Sequence, residues 1–190
     1  MATKYKESGL DKLVHLYKYR FIEDLHVPLG KILVKIVSES ELPIPDIIIP
    51  VPLHKRRLRW RGFNQAELLA NYLSENLAPG FAIPVFSNLI VRQKYTPPQM
   101  KIGKYADRQK NMQDAFRINA SSISLSPFLR RDVPVGQRGK ALQNFLNGKT
   151  FLLVDDIATT GATLFECAKI LKQNGAKKVF AAVIARQEME

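Results

Sequence analysis

The sequence predicts an α/β fold built on an open, mostly parallel sheet with helices on both faces. Short apolar runs rich in β-branched residues, such as residues 46–52 and 151–154, are typical of strands buried on both faces. They alternate with longer segments whose apolar residues recur at helical spacing, which indicates β-α-β units. With 190 residues and 46% hydrophobic composition, the chain suits one domain, and we expect residues 1–190 to form it.

In the first half of the chain, the spacing of apolar residues distinguishes the predicted helices from the predicted strands. Residues 1–40 are expected to form a helical N-terminal region, because apolar side chains recur every three or four residues before and after Pro28. Asn64 and Glu67 have the spacing of a capping box, so Asn64 is expected to begin a helix. The expected elements are helices over residues 10–21 and 29–36, a strand over 46–52, a basic loop over 54–61, a helix over 64–77 and a strand or strand pair over 83–91.

The second half of the chain contains a segment without periodic spacing of apolar residues, followed by a clear β-α-β pattern. Residues 119–149 show no sustained period, and we interpret them as a surface insertion or extra lobe. The chain then returns to a β-α-β pattern in which Gly175 is expected to stop the helix. The expected elements are a loop over residues 94–104, a short helix over 105–114, a strand over 115–119, a strand over 150–154, a helix over 163–174 and a strand over 177–185.

The composition excludes several classes of protein. Cys167 is the only cysteine, so the chain carries neither an internal disulfide nor a cysteine-rich metal cluster, and the residue is expected in the core. The sequence has no signal-peptide core and no apolar run near the roughly 20 residues of a membrane span. We therefore expect a cytoplasmic protein without membrane insertion. The net charge of +12 favours polyanions or phosphorylated small molecules as partners.

Residues 151–164, FLLVDDIATTGATL, join a buried strand to a helix through an acidic, hydroxyl-rich turn. Ligands of parallel sheets bind beyond the carboxyl ends of the strands, where Asp155 and Asp156 are expected to emerge. Gly161 and the threonine hydroxyls beside a helix N-terminus suit a phosphate, and the carboxylates suit vicinal sugar hydroxyls. The pattern indicates a ribose 5-phosphate site. A capped helix start is the simpler alternative, because Thr163 and Glu166 have capping-box spacing.

The stretch from Phe151 to Thr163 resembles the phosphoribosyl-pyrophosphate (PRPP) signature of type I phosphoribosyltransferases. PVPLHKRRLRWRGFNQAELLA over residues 50–70, together with RQKYTPPQ and RQKNMQDAF further on, resembles the ComF family within that superfamily. The likeness covers most of residues 10–118 and 149–187. It implies a type I phosphoribosyltransferase-like fold.

The resemblance also implies roles for individual residues. Asp155 and Asp156 would hold the ribose hydroxyls and, with the pyrophosphate, a Mg²⁺ ion. Arg61 and Gly62 would lie nearest the pyrophosphate, and the loop over 94–104 would close over the substrate. The expected catalytic residues are Asp155, Asp156 and Arg61. The residues expected around the 5-phosphate are Ala158, Thr159, Thr160, Gly161, Ala162 and Thr163.

The basic run HKRRLRWR over residues 54–61 suits more than one anion. Its cations and Trp60 are compatible with pyrophosphate or with the backbone and stacked bases of single-stranded DNA, and a solvated surface is the simplest alternative. Many ComF relatives begin with a cysteine-rich zinc module, which this sequence lacks, so no zinc is expected. The cations in question are Lys55, Arg56, Arg57 and Arg59.

Three functions are compatible with these motifs. The expected one is an enzyme that transfers the phosphoribosyl group of PRPP to an unidentified acceptor and releases pyrophosphate. Thr159 stands where some purine-salvage relatives carry an acidic base, so a purine acceptor deprotonated at that position is not expected. The ComF resemblance also suggests a non-enzymatic protein that handles single-stranded DNA in natural transformation, with a helicase-like partner. A PRPP-sensing regulator is the third possibility.

Overall fold

The computed structural model describes residues 3–4, 16–17, 23–95, 114–119 and 134–186. The strands are β1 (Thr3–Lys4), β2 (Ile47–Pro50), β3 (Ile90–Arg92), β4 (Phe116–Ile118), β5 (Thr150–Ala158) and β6 (Lys178–Arg186). The helices are α1 (His26–Ser38), α2 (Lys55–Arg61), α3 (Gln65–Asn76), α4 (Arg138–Leu146) and α5 (Ala162–Gln173). Within these ranges, every helix is too short or too polar to cross a bilayer.

Four strands form a parallel sheet in the order β1-β6-β5-β2. Beyond β2, Ile48 forms a parallel bridge with Val85, and the Ile48 N–H donates to the Pro84 carbonyl at 2.9 Å. The remaining strands, β3 and β4, form a separate antiparallel pair. The predicted open, mostly parallel sheet is therefore confirmed, and the predicted strand pair over 83–91 corresponds to the bridged segment and β3.

The two faces of the sheet carry separate apolar cores, which explains why β2 and residues 151–154 of β5 contain no polar side chain. Side chains that alternate along a strand point to opposite faces, so an internal strand with helices on both sides is apolar throughout. One core joins α1 and α3 to Ile48, Leu152, Val154, Ala182 and Ile184. The other joins α4 and α5 to Ile47, Ile49, Phe151 and Leu153.

The predicted helices that lie within the described residues are found close to their expected bounds. Asn64 caps α3 as predicted, because its Oδ1 accepts from the Ala66 N–H at 3.2 Å. Gly175, with φ of +97°, follows the end of α5 as predicted. Cys167 is fully buried in α5, and this burial raises the pKa of its thiol.

Part of the predicted surface insertion is a core element. Leu142 and Leu146 of α4 are 3% and 0% exposed and pack in the same core as Phe151. The prediction is therefore wrong for residues 138–146. The apolar residues of this helix, Ala141, Leu142, Phe145 and Leu146, cover less than two turns, which is too short a pattern to reveal a buried helix from sequence. The rest of the segment over 120–133 lies outside the described residues, as do the predicted helix over 105–113 and most of the one over 10–21.

Gly30 allows α1 to pack closely against α3, and we expect its replacement to destabilise the protein. A Cβ at this position would lie 2.6 Å from Cγ and 3.1 Å from Cβ of Tyr72. Replacing glycine by alanine inside a helix ordinarily adds up to about 1 kcal/mol of stability, but overpacking costs about 1–3 kcal/mol. Gly30→Ala is therefore expected to lower the free energy of unfolding by roughly 1–2 kcal/mol in urea denaturation.

Gly139 in α4 offers the matched control for this change. Apart from the adjoining residues and the backbone of α4 itself, no heavy atom of the described residues lies within 4 Å of a Cβ built there, so Gly139→Ala is expected to be neutral or slightly stabilising. Equal stability of the Gly30→Ala variant and the wild type would show that α1 and α3 accommodate the added methyl group without loss of stability.

Candidate functional site

The carboxyl end of β2 lies beside the middle of β5 in the sheet. The two strands pair up to Pro50 and Val154, and the Val51 N–H still donates to the Val154 carbonyl at 2.8 Å. After Val51, the chain leaves the sheet towards α2. In contrast, β5 continues alongside β6 to Ala158. Asp155 and Asp156 therefore lie within β5, not after its end as predicted, because β6 prolongs the ladder. They follow the last residue of β5 that pairs with β2, so within the described residues no strand pairs with β5 on that side beside them.

Both aspartate carboxylates are held by the backbone that follows them. Asp155 Oδ1 accepts from the Asp156 N–H at 2.9 Å, and Asp156 Oδ1 accepts from the Ile157 N–H at 2.7 Å. Asp155 is half-buried and Asp156 is 5% exposed. These bonds fix the orientation of each carboxyl group before any ligand arrives. A fixed carboxylate is a better acceptor for sugar hydroxyls than a mobile one, because less side-chain entropy is lost on binding.

The turn from β5 into α5 has a left-handed residue at its last position. Gly161 has φ of +75° and is the N-cap of α5, which begins at Ala162. Thr160 Oγ1 accepts from the Ala162 N–H at 3.3 Å. Thr163 is the second residue of the helix and therefore is not its cap, so the alternative of a capping box formed by Thr163 and Glu166 is wrong. The hydroxyl of Thr160 instead satisfies the first N–H of the helix, and the helix dipole gives this turn a positive potential.

The basic run after β2 is a helix, not the predicted loop. His54 caps α2, since its Nδ1 accepts from the Arg56 N–H at 3.2 Å. The spacing of apolar residues does not reveal this helix, because the helix has no buried face. Leu58 is 40% exposed and Trp60 is 61% exposed. Arg and Leu nevertheless have high helix propensity, and the run contains neither glycine nor proline. The outer face of α2 presents Lys55, Arg56 and Arg59 to solvent.

Contacts between side chains and backbone hold the segment that joins α2 to α3. Gly62, with φ of +82°, ends α2, and Asn64 Nδ2 donates to the Val51 carbonyl at 3.2 Å. Arg61 Nη1 donates to Gln65 Oε1 at 2.9 Å. The Tyr17 hydroxyl donates to the Gln65 carbonyl at 3.0 Å. Arg61 and Gly62 are therefore held at the same sheet edge as the aspartates.

Arg92 on β3 is a charged residue of this region that sequence analysis did not assign to the site. Its guanidinium carbon lies 5.3 Å from the centroid of the Phe116 ring. Burial and the nearby Arg57 lower the pKa of Arg92 to about 10, while Asp155 acts in the opposite direction. Arg92 thus lies within the electrostatic reach of both the basic helix and the acidic pair. Arg92 begins the RQKYTPPQ stretch that resembles the ComF family, but that resemblance assigned it no role.

Tyr17 of the N-terminal segment interacts electrostatically with Asp156. Burial raises the pKa of the Tyr17 hydroxyl well above its usual range, and the negative charges of Asp156 and Glu23 raise it further. The ring packs at a centroid distance of 6.1 Å from Phe63. Tyr17 therefore remains protonated and available as a hydrogen-bond donor. In the sequence, Tyr17 lies within the predicted helix over residues 10–21, where an aromatic residue is most simply interpreted as packing.

Tyr95 connects the start of the predicted closing loop to the basic helix. Its ring centroid lies 5.2 Å from that of His54 and 5.4 Å from the guanidinium carbon of Arg56. Burial lowers the pKa of His54, and Arg92 and the arginines of α2 lower it further. Residues 96–104 of the loop lie outside the described part of the chain, so its closing role stays a prediction.

The acidic pair suits a magnesium ion only together with a ligand. Across the described ranges, no three His, Cys, Asp or Glu side chains form a cluster that could hold a metal by themselves. Magnesium is commonly held by one or two carboxylates, several waters and the phosphates of a substrate. Asp155 and Asp156 fit this mode of binding.

Comparisons with known proteins identify the proteins to which this chain is similar. The Phosphoribosyl transferase domain family matches residues 67–189. Competence protein F of Haemophilus influenzae is 34% identical over 146 residues, which cover 77% of this chain and 52% of that protein. DNA utilization protein YhgH of Salmonella typhi is 31% identical over 174 residues, which cover 90% of this chain and 64% of that protein. The chain thus spans between half and two thirds of the length of these relatives.

Among solved structures, the allosteric regulatory enzyme of purine biosynthesis aligns with a TM-score of 0.45 and 15% identity. The alignment covers 84% of this chain and 26% of the enzyme. The glutamine PRPP amidotransferase of B. subtilis aligns with a TM-score of 0.44 and 16% identity, over 83% of this chain and 26% of that enzyme.

Proposed function

The chain belongs to the phosphoribosyltransferase domain family, as a protein of the ComF type, and we propose that it binds PRPP and transfers the phosphoribosyl group to an acceptor. One observation carries the proposal. The oriented carboxylates of Asp155 and Asp156, the N-terminus of α5 and the cations that follow β2 all lie at one edge of the sheet. This edge combines acceptors for sugar hydroxyls with two separate sites of positive potential for phosphate groups.

The sugar and its 5-phosphate would bind along β5 and the turn that follows it. Asp155 and Asp156 accept hydrogen bonds from the vicinal ribose hydroxyls, which places the 5-phosphate near residues 158–163. The dipole of α5 gives its N-terminus a positive potential, which favours an anion there. Gly161 lets the chain reach this position without a side chain between the amides and the ligand.

The leaving pyrophosphate would lie against the cations of Arg57, Arg61 and Arg92. As the bond between ribose C1 and the pyrophosphate oxygen breaks, negative charge accumulates on the leaving group and positive charge on the sugar. Fixed cations near the pyrophosphate lower the energy of that transition state more than the energy of bound PRPP. A magnesium ion bound by the aspartates and the diphosphate would add further charge neutralisation.

Calorimetric titration of PRPP with Mg²⁺ into the protein, with pyrophosphate release followed in parallel, tests the proposal. We expect saturable PRPP binding, together with pyrophosphate release that depends on an added acceptor from a panel of nucleobases and amines. Binding without any release would instead favour a PRPP-sensing regulator. A folded protein that does not bind PRPP would contradict the proposal.

The exposed face of α2 favours a second candidate, the binding of single-stranded DNA. Trp60 is 61% exposed beside exposed arginines, and the chain carries a net charge of +12. Exposed aromatic rings stack on bases, and arginines neutralise phosphates. This surface consists of exposed residues of α2, whereas the PRPP proposal uses the half-buried Arg57 and Arg61 of the same helix.

Removing the Trp60 ring is expected to weaken binding to an oligothymidylate by about tenfold, since one stacked base contributes about 1–3 kcal/mol. Fluorescence anisotropy over a salt series measures the effect, and affinity should fall steeply with salt if the arginines of α2 contact phosphates. Phe81→Ala provides the control, because Phe81 is 59% exposed and lies after α3, away from the basic helix. Equal affinity of the Trp60→Ala and Phe81→Ala variants would remove the argument for DNA.

A further inference from the structure

Gln65 is a buried polar residue that links the N-terminal segment to the end of the basic helix. It is 2% exposed and is the first residue of α3. Its side-chain Oε1 accepts from Arg61 Nη1 at 2.9 Å, and its carbonyl accepts from the Tyr17 hydroxyl at 3.0 Å. Tyr17 is itself fully buried. The three residues thus form a continuous chain of hydrogen bonds from the protein core to the Arg61 guanidinium.

Two donors of these hydrogen-bonded residues lack a partner among the described residues. Arg61 Nε and Gln65 Nε2 are buried and make no hydrogen bond within the part of the chain that the structure describes. Arginine has only donors, so the amide atom that faces Arg61 is the Gln65 oxygen and the amide nitrogen is left over. Buried polar groups are nearly always paired in folded proteins, and exceptions are frequent at functional sites. Two neighbouring unpaired donors favour a ligand group with several acceptor oxygens at this place.

The neutral side chain of Gln65 suits it to hold an anion-binding arginine. A glutamate at this position would also accept from Arg61, with a stronger, charge-assisted bond. It would, however, cancel the charge that the arginine offers to a ligand. Glutamine orients the guanidinium and leaves its full positive charge available.

We propose that Gln65 is a positioning residue that holds the Arg61 guanidinium for the diphosphate group of a ligand, and that Tyr17 in turn positions Gln65. The inference rests on the proposed function, since PRPP carries the diphosphate concerned. It extends that function to residues outside the PRPP motif. It also explains why a tyrosine from the N-terminal segment is buried against the first turn of α3.

The test compares three ligands: PRPP and inorganic pyrophosphate, each with Mg²⁺, and ribose 5-phosphate. Gln65→Glu and Gln65→Met are each expected to weaken PRPP and pyrophosphate binding by about tenfold, as for a hydrogen bond to a charged group. Tyr17→Phe, which removes only the buried hydroxyl, is expected to weaken them by about threefold. Affinity for ribose 5-phosphate should stay within a factor of two of the wild type in all three variants, because the aspartates and α5 bind it.

The Gln65→Glu variant separates positioning from a merely structural role. A structural role would tolerate glutamate, since the bond to Arg61 is kept, and any damage to the fold would lower affinity for all three ligands together. Gln143→Glu on the exposed face of α4 controls for the added negative charge. If the wild type binds PRPP and folded Gln65→Glu and Gln65→Met variants bind it equally well, the inference is wrong and the proposed function stands. If the wild type binds neither PRPP nor pyrophosphate, both are wrong.

Discussion

Replacing Asp155 and Asp156 together by asparagine is expected to weaken PRPP binding at least about 100-fold while the protein stays folded. Hydrogen bonds to a charged group contribute about 1.5–3 kcal/mol each, and both ribose hydroxyls would lose such a partner. The fold should tolerate the change, because an asparagine oxygen can still accept from the N–H groups of Asp156 and Ile157. Calorimetry with Mg²⁺ and PRPP measures the affinity, and circular dichroism checks the fold.

Asp46→Asn is the matched control for this double substitution. Asp46 precedes β2 at the opposite edge of the sheet, and its Oδ2 accepts from the Thr150 N–H at 2.7 Å. The change therefore removes a carboxylate charge from a backbone-bonded aspartate without touching the candidate site. Wild-type affinity is expected for Asp46→Asn. If the double variant also bound PRPP with wild-type affinity, the aspartates would not hold the ribose.

Replacing Arg61 by alanine is expected to lower the rate of pyrophosphate release about 100-fold at saturating PRPP. Loss of one fixed donor to the charge that develops in a transition state typically lowers turnover by about 10²–10³. Arg61 is suited to this role because Gln65 already orients it, with a distance of 2.9 Å between Nη1 and Oε1. A coupled assay for pyrophosphate measures the rate with the acceptor that supports turnover in the wild type.

Two further variants show whether the effect of Arg61 comes from position or only from charge. Arg61→Lys keeps the charge but loses the planar fork, so it is expected to recover only a small part of the rate. Lys178→Ala removes one positive charge at the start of β6, at the far edge of the sheet, and should leave the rate unchanged. A full rate in Arg61→Lys would mean that a nearby positive charge suffices and that the hydrogen bond to Gln65 has no part in it.

Much of the fold could be predicted because the central strands and the long helices have strong local patterns. The runs around Ile48 and Leu152 are apolar throughout because both faces of the sheet are covered. Asn64 was recognisable as a helix cap, since its side chain satisfies a backbone N–H of its own first turn. These signals depend on neighbours in sequence, so they can be interpreted without knowledge of the tertiary structure.

The elements that were wrongly predicted are those whose environment comes from distant parts of the chain. The helix α2 has no apolar face, so its periodicity gave no indication of a helix. In α4, the burial of Leu142 and Leu146 depends on β2, β5 and α5, which lie elsewhere in the sequence. The end of β5 was misplaced because β6, almost thirty residues later, extends the ladder past Asp155.

The sequence by itself determined the fold class, the family and the acidic pair with its threonine turn, because each is written in contiguous residues with a local physical meaning. Only the tertiary structure decided which charges act together. It placed Arg92 near Asp155 and Arg57, and it joined Tyr17 to Arg61 through Gln65. Electrostatic interactions and hydrogen bonds act over a few ångströms in space, whereas these residues are separated by up to about a hundred positions in sequence. Their partnership is therefore visible only once the sheet has brought its strand ends together.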